Sequence, residues 1–347
     1  MALCTTFRRS FSTSALLVAS VSVLSIAGAD PISAEIIRLS DLQNGITMTP
    51  AQCAALPSAV WVSVKNRSFC MRYFLSTAGG DGSRPVVYLS GDKIGTLNMK
   101  TGAWTSSADD KDIDTEDLAK NSVRLSRQAR TTGIHLSRVG LDGSSGDHRI
   151  RRSVLELQAT NAALDAIKRR HRFEGFHIVG QSGGSKLLGG LVALRDDIGC
   201  AVIGAGRLAD KAGPPPAFDP TLENFNVADS ISTIARRRST RIVVITDPVD
   251  QRVPGRTQTG FVQMLRQAGG QAEQIEVQAT DQNRHGVATY ARAALADCVR
   301  GAAPQEIAEN VRKLVDQRTL EARQKNDPRN NPNAKQLQPV KPKLGRG

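Results

Sequence analysis

Five residues, Gly180-Gln181-Ser182-Gly183-Gly184, have the types and spacing to do chemistry. They fit Gly-x-Ser-x-Gly, a pattern that sets a serine hydroxyl on a sharp turn between a strand and a helix, where it can act as a nucleophile. An apolar run at 175–179 precedes them and a helix-compatible run at 186–194 follows, which is the context the pattern requires. Glycines must flank the serine because a Cβ there would collide with the neighbouring strand and helix. A serine nucleophile also needs a base, and the base needs an orienting acid. His285 is the only histidine after Ser182. Two acids, Asp247 and Asp250, stand just beyond an apolar run at 241–246, and Asp281 is a more distant third. Asp250, with Val253-Pro254 close behind it, is the preferred acid, with Asp247 shaping the turn. The choice between them stays open at this level.

These residues must be carried by a sheet. Apolar runs at 60–64 and 68–75, joined through Lys65-Asn66-Arg67, read as a hairpin. From residue 85 onward strand patterns at 85–89, 134–138, 175–179, 200–203, 241–246 and 272–279 alternate with helix patterns at 115–130, 151–171, 186–194, 261–268 and 287–299. Such alternation implies a mostly parallel sheet with helices on both faces and the hairpin as its antiparallel edge. A further, more polar helix is expected at 303–324. Residues 205–238 hold Pro214-Pro215-Pro216 and read as a small cap or a long connection.

The chain resembles the α/β-hydrolase family, and more loosely the prolyl-oligopeptidase-like and dienelactone-hydrolase-like catalytic domains. The resemblance rests on Gly180-Gln181-Ser182-Gly183-Gly184, Asp250-Gln251-Arg252-Val253-Pro254 and Arg284-His285-Gly286, and it spans residues 85–300. It implies the order serine, acid, histidine, met here with 68 residues from Ser182 to Asp250 and 35 more to His285. It also implies an oxyanion hole made of the Gly183 backbone N–H and a second donor after the third strand, at Ser90-Gly91-Asp92, through the backbone of Gly91 or Asp92. The family often carries His-Gly where this chain has Ser90-Gly91. A carboxylate at Asp92 must then point away from the oxyanion, toward Lys93 or a cationic part of a substrate. The expected activity is serine-dependent hydrolysis of a small-molecule ester, with peptide hydrolysis and a non-catalytic binding role on the same scaffold as alternatives.

The rest of the chain bounds that reading. Aromatic residues are only 4%, so the core must be aliphatic, and platforms for stacking nucleic-acid bases are scarce. Residues 1–29 have the form of an export signal: Arg8-Arg9, a moderately apolar stretch at 15–27, and Ala27-Gly28-Ala29 before Asp30. Arg8-Arg9-Ser10-Phe11 fits a twin-arginine signal as well as a general secretory one. A periplasmic or secreted protein follows, and the apolar stretch is too short and serine-rich to read as a membrane span. The domain proper is then 30–302. Export agrees with pairing Cys53 with Cys70 and Cys200 with Cys298. No Cys-x-x-Cys or zinc-type spacing occurs, and no metal or cofactor is expected. Gly204 to Ala209 loosely fits a dinucleotide fingerprint, but the prolines that follow leave no helix for it. In Gly180 to Leu187, Ser185 and Leu187 stand where a phosphate loop needs Gly and Ser/Thr. The net charge of +13 lies partly in a tail, 325–347, where six basic residues face Asp327 alone. That composition reads as a disordered, solvated tail able at most to touch an anionic surface weakly. His135, His171 and His177 read as structural, with His171 placed for positive charge at a helix C-terminus. Ser145 and His148 in the glycine-rich loop read as loop structure, not chemistry.

Overall fold

A computed structural model describes residues 35–93, 96–97, 104–105, 111–210, 219 and 221–326. The expected export signal, the basic tail beyond Asn326 and the proline run at 214–216 lie outside the described residues.

Eight strands form the central sheet: β1 (Ala59–Val64), β2 (Arg67–Ser76), β3 (Val86–Leu89), β4 (Gly133–Leu136), β5 (Phe176–Gln181), β6 (Ile198–Gly204), β7 (Arg241–Thr246) and β8 (Glu273–Glu276). Their spatial order is β8-β7-β6-β5-β3-β4-β2-β1. β1 and β2 form an antiparallel hairpin, β2 runs antiparallel to β4, and every other pair is parallel. This is the α/β-hydrolase fold, with the hairpin at the edge as the alternation of patterns implied.

The alternating direction of strand side chains divides the core in two. Val87 and Leu89 of β3, Ile178 of β5, Ile203 of β6 and Val244 of β7 pack on one face, against α2 (Val154–His171), α3 (Gly183–Leu194) and α4 (Arg256–Gln267). Val86, Val179, Val202 and Val243 point the other way, into α1 (Thr115–Ala129), α5 (Ala288–Val299) and α6 (Pro304–Asn326). Both cores are chiefly aliphatic. Parallel strands covered on both faces read as near-continuous apolar runs, which is why β6 and β7 were legible.

Several boundaries differ from the pattern, each for a local reason. The 151–171 helix begins only at Val154, because Ser153 caps it, its Oγ accepting from the Glu156 N–H at 3.2 Å. A single turn, His148–Ile150, comes before it. The 261–268 helix starts earlier, at Arg256, since its first turn buries polar side chains. Gln258 accepts from the Thr246 hydroxyl at 3.0 Å, and apolar periodicity cannot see such a turn. The described part of 205–238 lies on α3. Leu208, Leu222 and Val227 are buried in its core, and Asn224 bridges to Ser153. After Gly204 the chain turns at Ala205 with φ 51° and forms no helix through residue 210, so the dinucleotide pattern has no structural counterpart.

Cys53 is disulfide-bonded to Cys70 of β2, and Cys200 of β6 to Cys298 of α5. His177 of β5 lies beside the second bridge, its Nδ1 accepting from the Cys200 N–H at 3.1 Å. Burial, with Arg84 nearby, pushes the His177 pKa down to about 4. His171 is also driven toward its neutral form by burial and by Arg170, and its Nε2 meets the Tyr73 hydroxyl at 2.8 Å. It is therefore not the charged cap at a helix end that its position implied.

Two outcomes follow. The Cys200–Cys298 bridge spans a sequence separation of 98. On chain-entropy grounds, replacing both cysteines by alanine should cost about 4–5 kcal/mol, read as a lowered urea midpoint with a steeper slope, since the freed unfolded chain exposes more surface. His177 takes up its proton more readily when unfolded, near pH 6.5, than when folded. Stability should therefore fall as pH drops from about 6.5 toward about 4. A His177→Asn variant, which retains a hydrogen-bonding side chain, should show a shallower fall in urea titrations at stepped pH.

Candidate active site

The turn from β5 into α3 leaves one residue, Ser182, between the last strand residue and the first helical one. Its backbone takes φ 54° and ψ −115°, a region that costs a non-glycine residue of order 1–3 kcal/mol. The flanking glycines make this possible by close approach. A Cβ on Gly180 would lie 2.6 Å from the Gly184 carbonyl oxygen, and one on Gly184 would lie 2.3 Å from that of Leu89. The turn is tied down from outside. Ser182 N–H donates to the Gly204 carbonyl at 2.8 Å, and the Ser185 hydroxyl lies 2.6 Å from the Gly180 carbonyl and 2.7 Å from that of Gly204. Ser182 itself stays partly exposed.

Three aspartates beyond β7 and β8 act separately around His285. Asp250 Oδ2 meets His285 Nδ1 at 2.7 Å, while its Oδ1 accepts from the N–H groups of Arg252 and Val253 at 2.8 and 2.9 Å. The carboxylate is buried and aimed by backbone, so His285 Nδ1 carries the donated proton and Nε2 is left to accept. Asp247 turns elsewhere. It accepts from Arg284 Nε at 2.7 Å, from the Ala279 N–H at 2.8 Å and from the Val249 N–H at 3.0 Å. Asp281 holds the backbone of the histidine loop, accepting from the N–H groups of His285 and Gly286 at 3.1 and 2.7 Å. Gln181 joins this loop to the serine turn, its Nε2 donating to the His285 carbonyl at 2.9 Å. The turn that carries Ser182 and the loop that carries His285 are thus joined through Gln181, and Asp250 bonds the imidazole of that loop.

Gly91 lies against the same turn: a Cβ on it would be 3.1 Å from Ser182 Cβ. Gly183 opens α3, where the first N–H groups have no partner within the helix. The Asp92 side chain turns away from Lys93, contrary to one sequence expectation, since Lys93 pairs with Asp142 at 2.7 Å. Asp92 instead enters a buried ion network. Its Oδ1 accepts from Arg138 at 2.8 Å, and its Oδ2 lies 2.5 Å from Arg152 and 3.5 Å from Arg151. Burial alone would raise its pKa. Arg152, Arg138, His148 and Arg151 outweigh that and hold it well below the usual carboxylate range.

Arg138 is fully buried and was not singled out by the sequence. Its Nε donates to Glu156 at 2.9 Å, and one terminal nitrogen reaches both Asp92 and the Ser90 carbonyl, the latter at 3.2 Å. It therefore clamps the Ser90-Gly91-Asp92 segment from beneath. Two signals pointed this way. Arg138 follows a strand at the end of the sheet that carries Ser182, and Ser153-Val154-Leu155-Glu156 has the spacing of a capping box. The glycine-rich loop after β4 is structural: Ser144 and Ser145 hydroxyls accept from the Arg72 and Cys70 N–H groups at 2.9 and 2.7 Å. His148 donates to the Val139 carbonyl at 3.0 Å, and burial and Arg138 push its pKa down to about 3. His135 sits 3.0 Å from Asp142. Among the described residues no group of three or more His, Cys, Asp or Glu could hold a metal ion.

Strand order defines a chain with the α/β-hydrolase fold, with a serine in the strained turn between β5 and α3. No protein-family model and no curated protein matches it. Solved structures similar to it include the esterase Pf2001 of Pyrococcus furiosus, with TM-score 0.49, 11% identity, and coverage of 74% of this chain and 97% of that one. Est1E of Butyrivibrio proteoclasticus, solved with ferulic acid bound, gives TM-score 0.46 and 12% identity over 72% of this chain and all of that one. The Pyrococcus horikoshii acylaminoacyl peptidase gives TM-score 0.46 and 12% identity over 75% of this chain and 41% of that one. At this level of similarity the fold rests on the strand order and the edge hairpin, not on these neighbours.

Arg138→Met tests the clamp. Removing one partner of a buried ion network leaves Asp92 and Glu156 without their shared cation, so a loss of about 3–5 kcal/mol in urea unfolding is expected.

Proposed function

We propose that this chain is a serine hydrolase that cleaves carboxylic esters through an acyl-enzyme. The observation that carries the reading is the buried Asp250 carboxylate, 2.7 Å from Nδ1 of a half-buried His285 whose loop is tied to the strained Ser182 turn. In this reading His285 Nε2 takes the Ser182 proton as Oγ attacks the acyl carbonyl. Asp250 fixes the tautomer and stabilises the imidazolium. The N–H of Gly183 and one from Gly91-Asp92 receive the oxyanion. The alcohol leaves with the proton from His285, and water, activated by the same histidine, releases the acid. No step calls for a metal or organic cofactor. We place the protein outside the cytoplasm, by an export signal at 1–29 and in keeping with its two disulfides. No helix among the described residues is long and apolar enough to cross a membrane.

Side-by-side kinetics on p-nitrophenyl esters and peptide anilides check this. Wild type should cleave the esters and leave the anilides. Ser182→Ala should abolish turnover, and Asp250→Asn should lower kcat by about 10⁴-fold through the wrong tautomer. Asp247→Asn should act mainly on stability, because its acceptors serve Arg284 and the turn. Equal activity losses in the two asparagine variants would contradict the assignment of the acid.

A further inference from the structure

Lys186 stands four residues after Ser182, on the same face of α3 one turn further on. It is only 6% exposed, yet among the described residues its ammonium has no hydrogen bond or ion pair. It lies 5.4 Å above the Phe225 ring. Its charged neighbours are Arg152, Asp210, Arg207 and Asp92. Both carboxylates are already engaged: Asp210 meets Arg207 at 2.6 Å, and Asp92 is held by Arg138, Arg151 and Arg152. Burial, reinforced by repulsion from Arg152 and Arg207, pushes the Lys186 pKa down to about 8. A largely buried cation set among other cations costs stability unless an anion joins it.

The position of this cluster gives it meaning. Arg152 touches Asp92, whose Oδ1 would lie 2.0 Å from a Cβ on Gly183. Arg207 comes from the loop after β6, which packs on the first turn of α3, where a Cβ on Gly206 would lie 2.6 Å from Ser185 Cβ. Arg152, through Asp92, and the loop that carries Arg207 therefore both come against the first residues of α3, and Lys186 stands one turn along the same helix. A neutral ester needs none of them.

We infer that the site takes esters that carry a negative charge close to the scissile carbonyl, with Lys186, Arg152 and Arg207 receiving that charge. This deepens the hydrolase reading and rests on Ser182 being the nucleophile. The anion can belong to the acyl group or to the alcohol, so matched pairs test both sides. The first pair is p-nitrophenyl monoglutarate against p-nitrophenyl valerate, and the second is 4-carboxyphenyl butyrate against phenyl butyrate. In at least one pair kcat/KM for the anionic ester should exceed the neutral one by tenfold or more at low salt. Lys186→Met should cut that ratio at least tenfold, Arg207→Gln should cut it less, and 0.5 M salt should narrow it in wild type. The urea midpoint of Lys186→Met should match or exceed that of wild type, as expected where a charge is kept for a ligand and not for packing. Ratios near or below one in both pairs, a ratio unmoved by Lys186→Met, or a large fall in its urea midpoint would each overturn the inference. Fluorophosphonate labelling of the same preparations separates the two levels. A labelled wild type with no charge preference sinks this inference alone, whereas an unlabelled wild type removes the nucleophile and the inference with it.

Discussion

The close approach of β3, β5 and α3 at the serine turn is the constraint on which the rest depends. Ser182 can hold a positive φ at the end of a central strand only because Gly180 and Gly184 let backbones meet at distances no Cβ allows. The strain is sustained by packing on both sides of the sheet, by the Gly204 carbonyl accepting from the Ser182 N–H, and by the Ser185 hydroxyl between the Gly180 and Gly204 carbonyls. A looser core would let the turn relax and carry the hydroxyl away from the histidine loop. The two aliphatic cores, the long disulfide at the far end of β6 and the Gln181 link to His285 all serve to hold that one residue in place.

Around the turn, charge is arranged in two tiers. On one side the three aspartates have different partners. Asp250 holds the imidazole, Asp247 the Arg284 guanidinium, and Asp281 the backbone of the loop. On the other, Arg138 ties Asp92 and Glu156 together beneath the second strand end. Because Arg138 also bonds the Ser90 carbonyl, the buried network fixes backbone and not merely side chains. Such ion clusters contribute little net stability and a good deal of geometric definition.

Much of this was legible in the sequence because it depends on local rules. Apolar runs of four to six residues marked β3, β5, β6 and β7, and glycines at fixed offsets marked the turn. The order serine, acid, histidine came from the family resemblance, and the end of the 241–246 run pointed to Asp247 and Asp250. What escaped has a common physical origin. Arg138, Glu156 and Lys186 are charged residues buried through contacts with distant parts of the chain, and a one-dimensional pattern treats such residues as surface. The first turn of α4 escaped for the same reason, its buried Thr257 and Gln258 being polar. His171 misled because a helix end favours its charge in isolation, whereas burial and Arg170 favour the neutral ring. Lys93 was matched to the acid beside it in sequence, while the fold gave it Asp142.

The central claim is that one strained serine carries the chemistry. The direct measurement is peptide mapping by mass spectrometry after brief exposure of the folded protein to a fluorophosphonate. The account predicts a single phosphonylated peptide, with the modification on Ser182, absent when the protein is first unfolded in urea. Modification of a different residue, or labelling that persists in the unfolded chain, would contradict it.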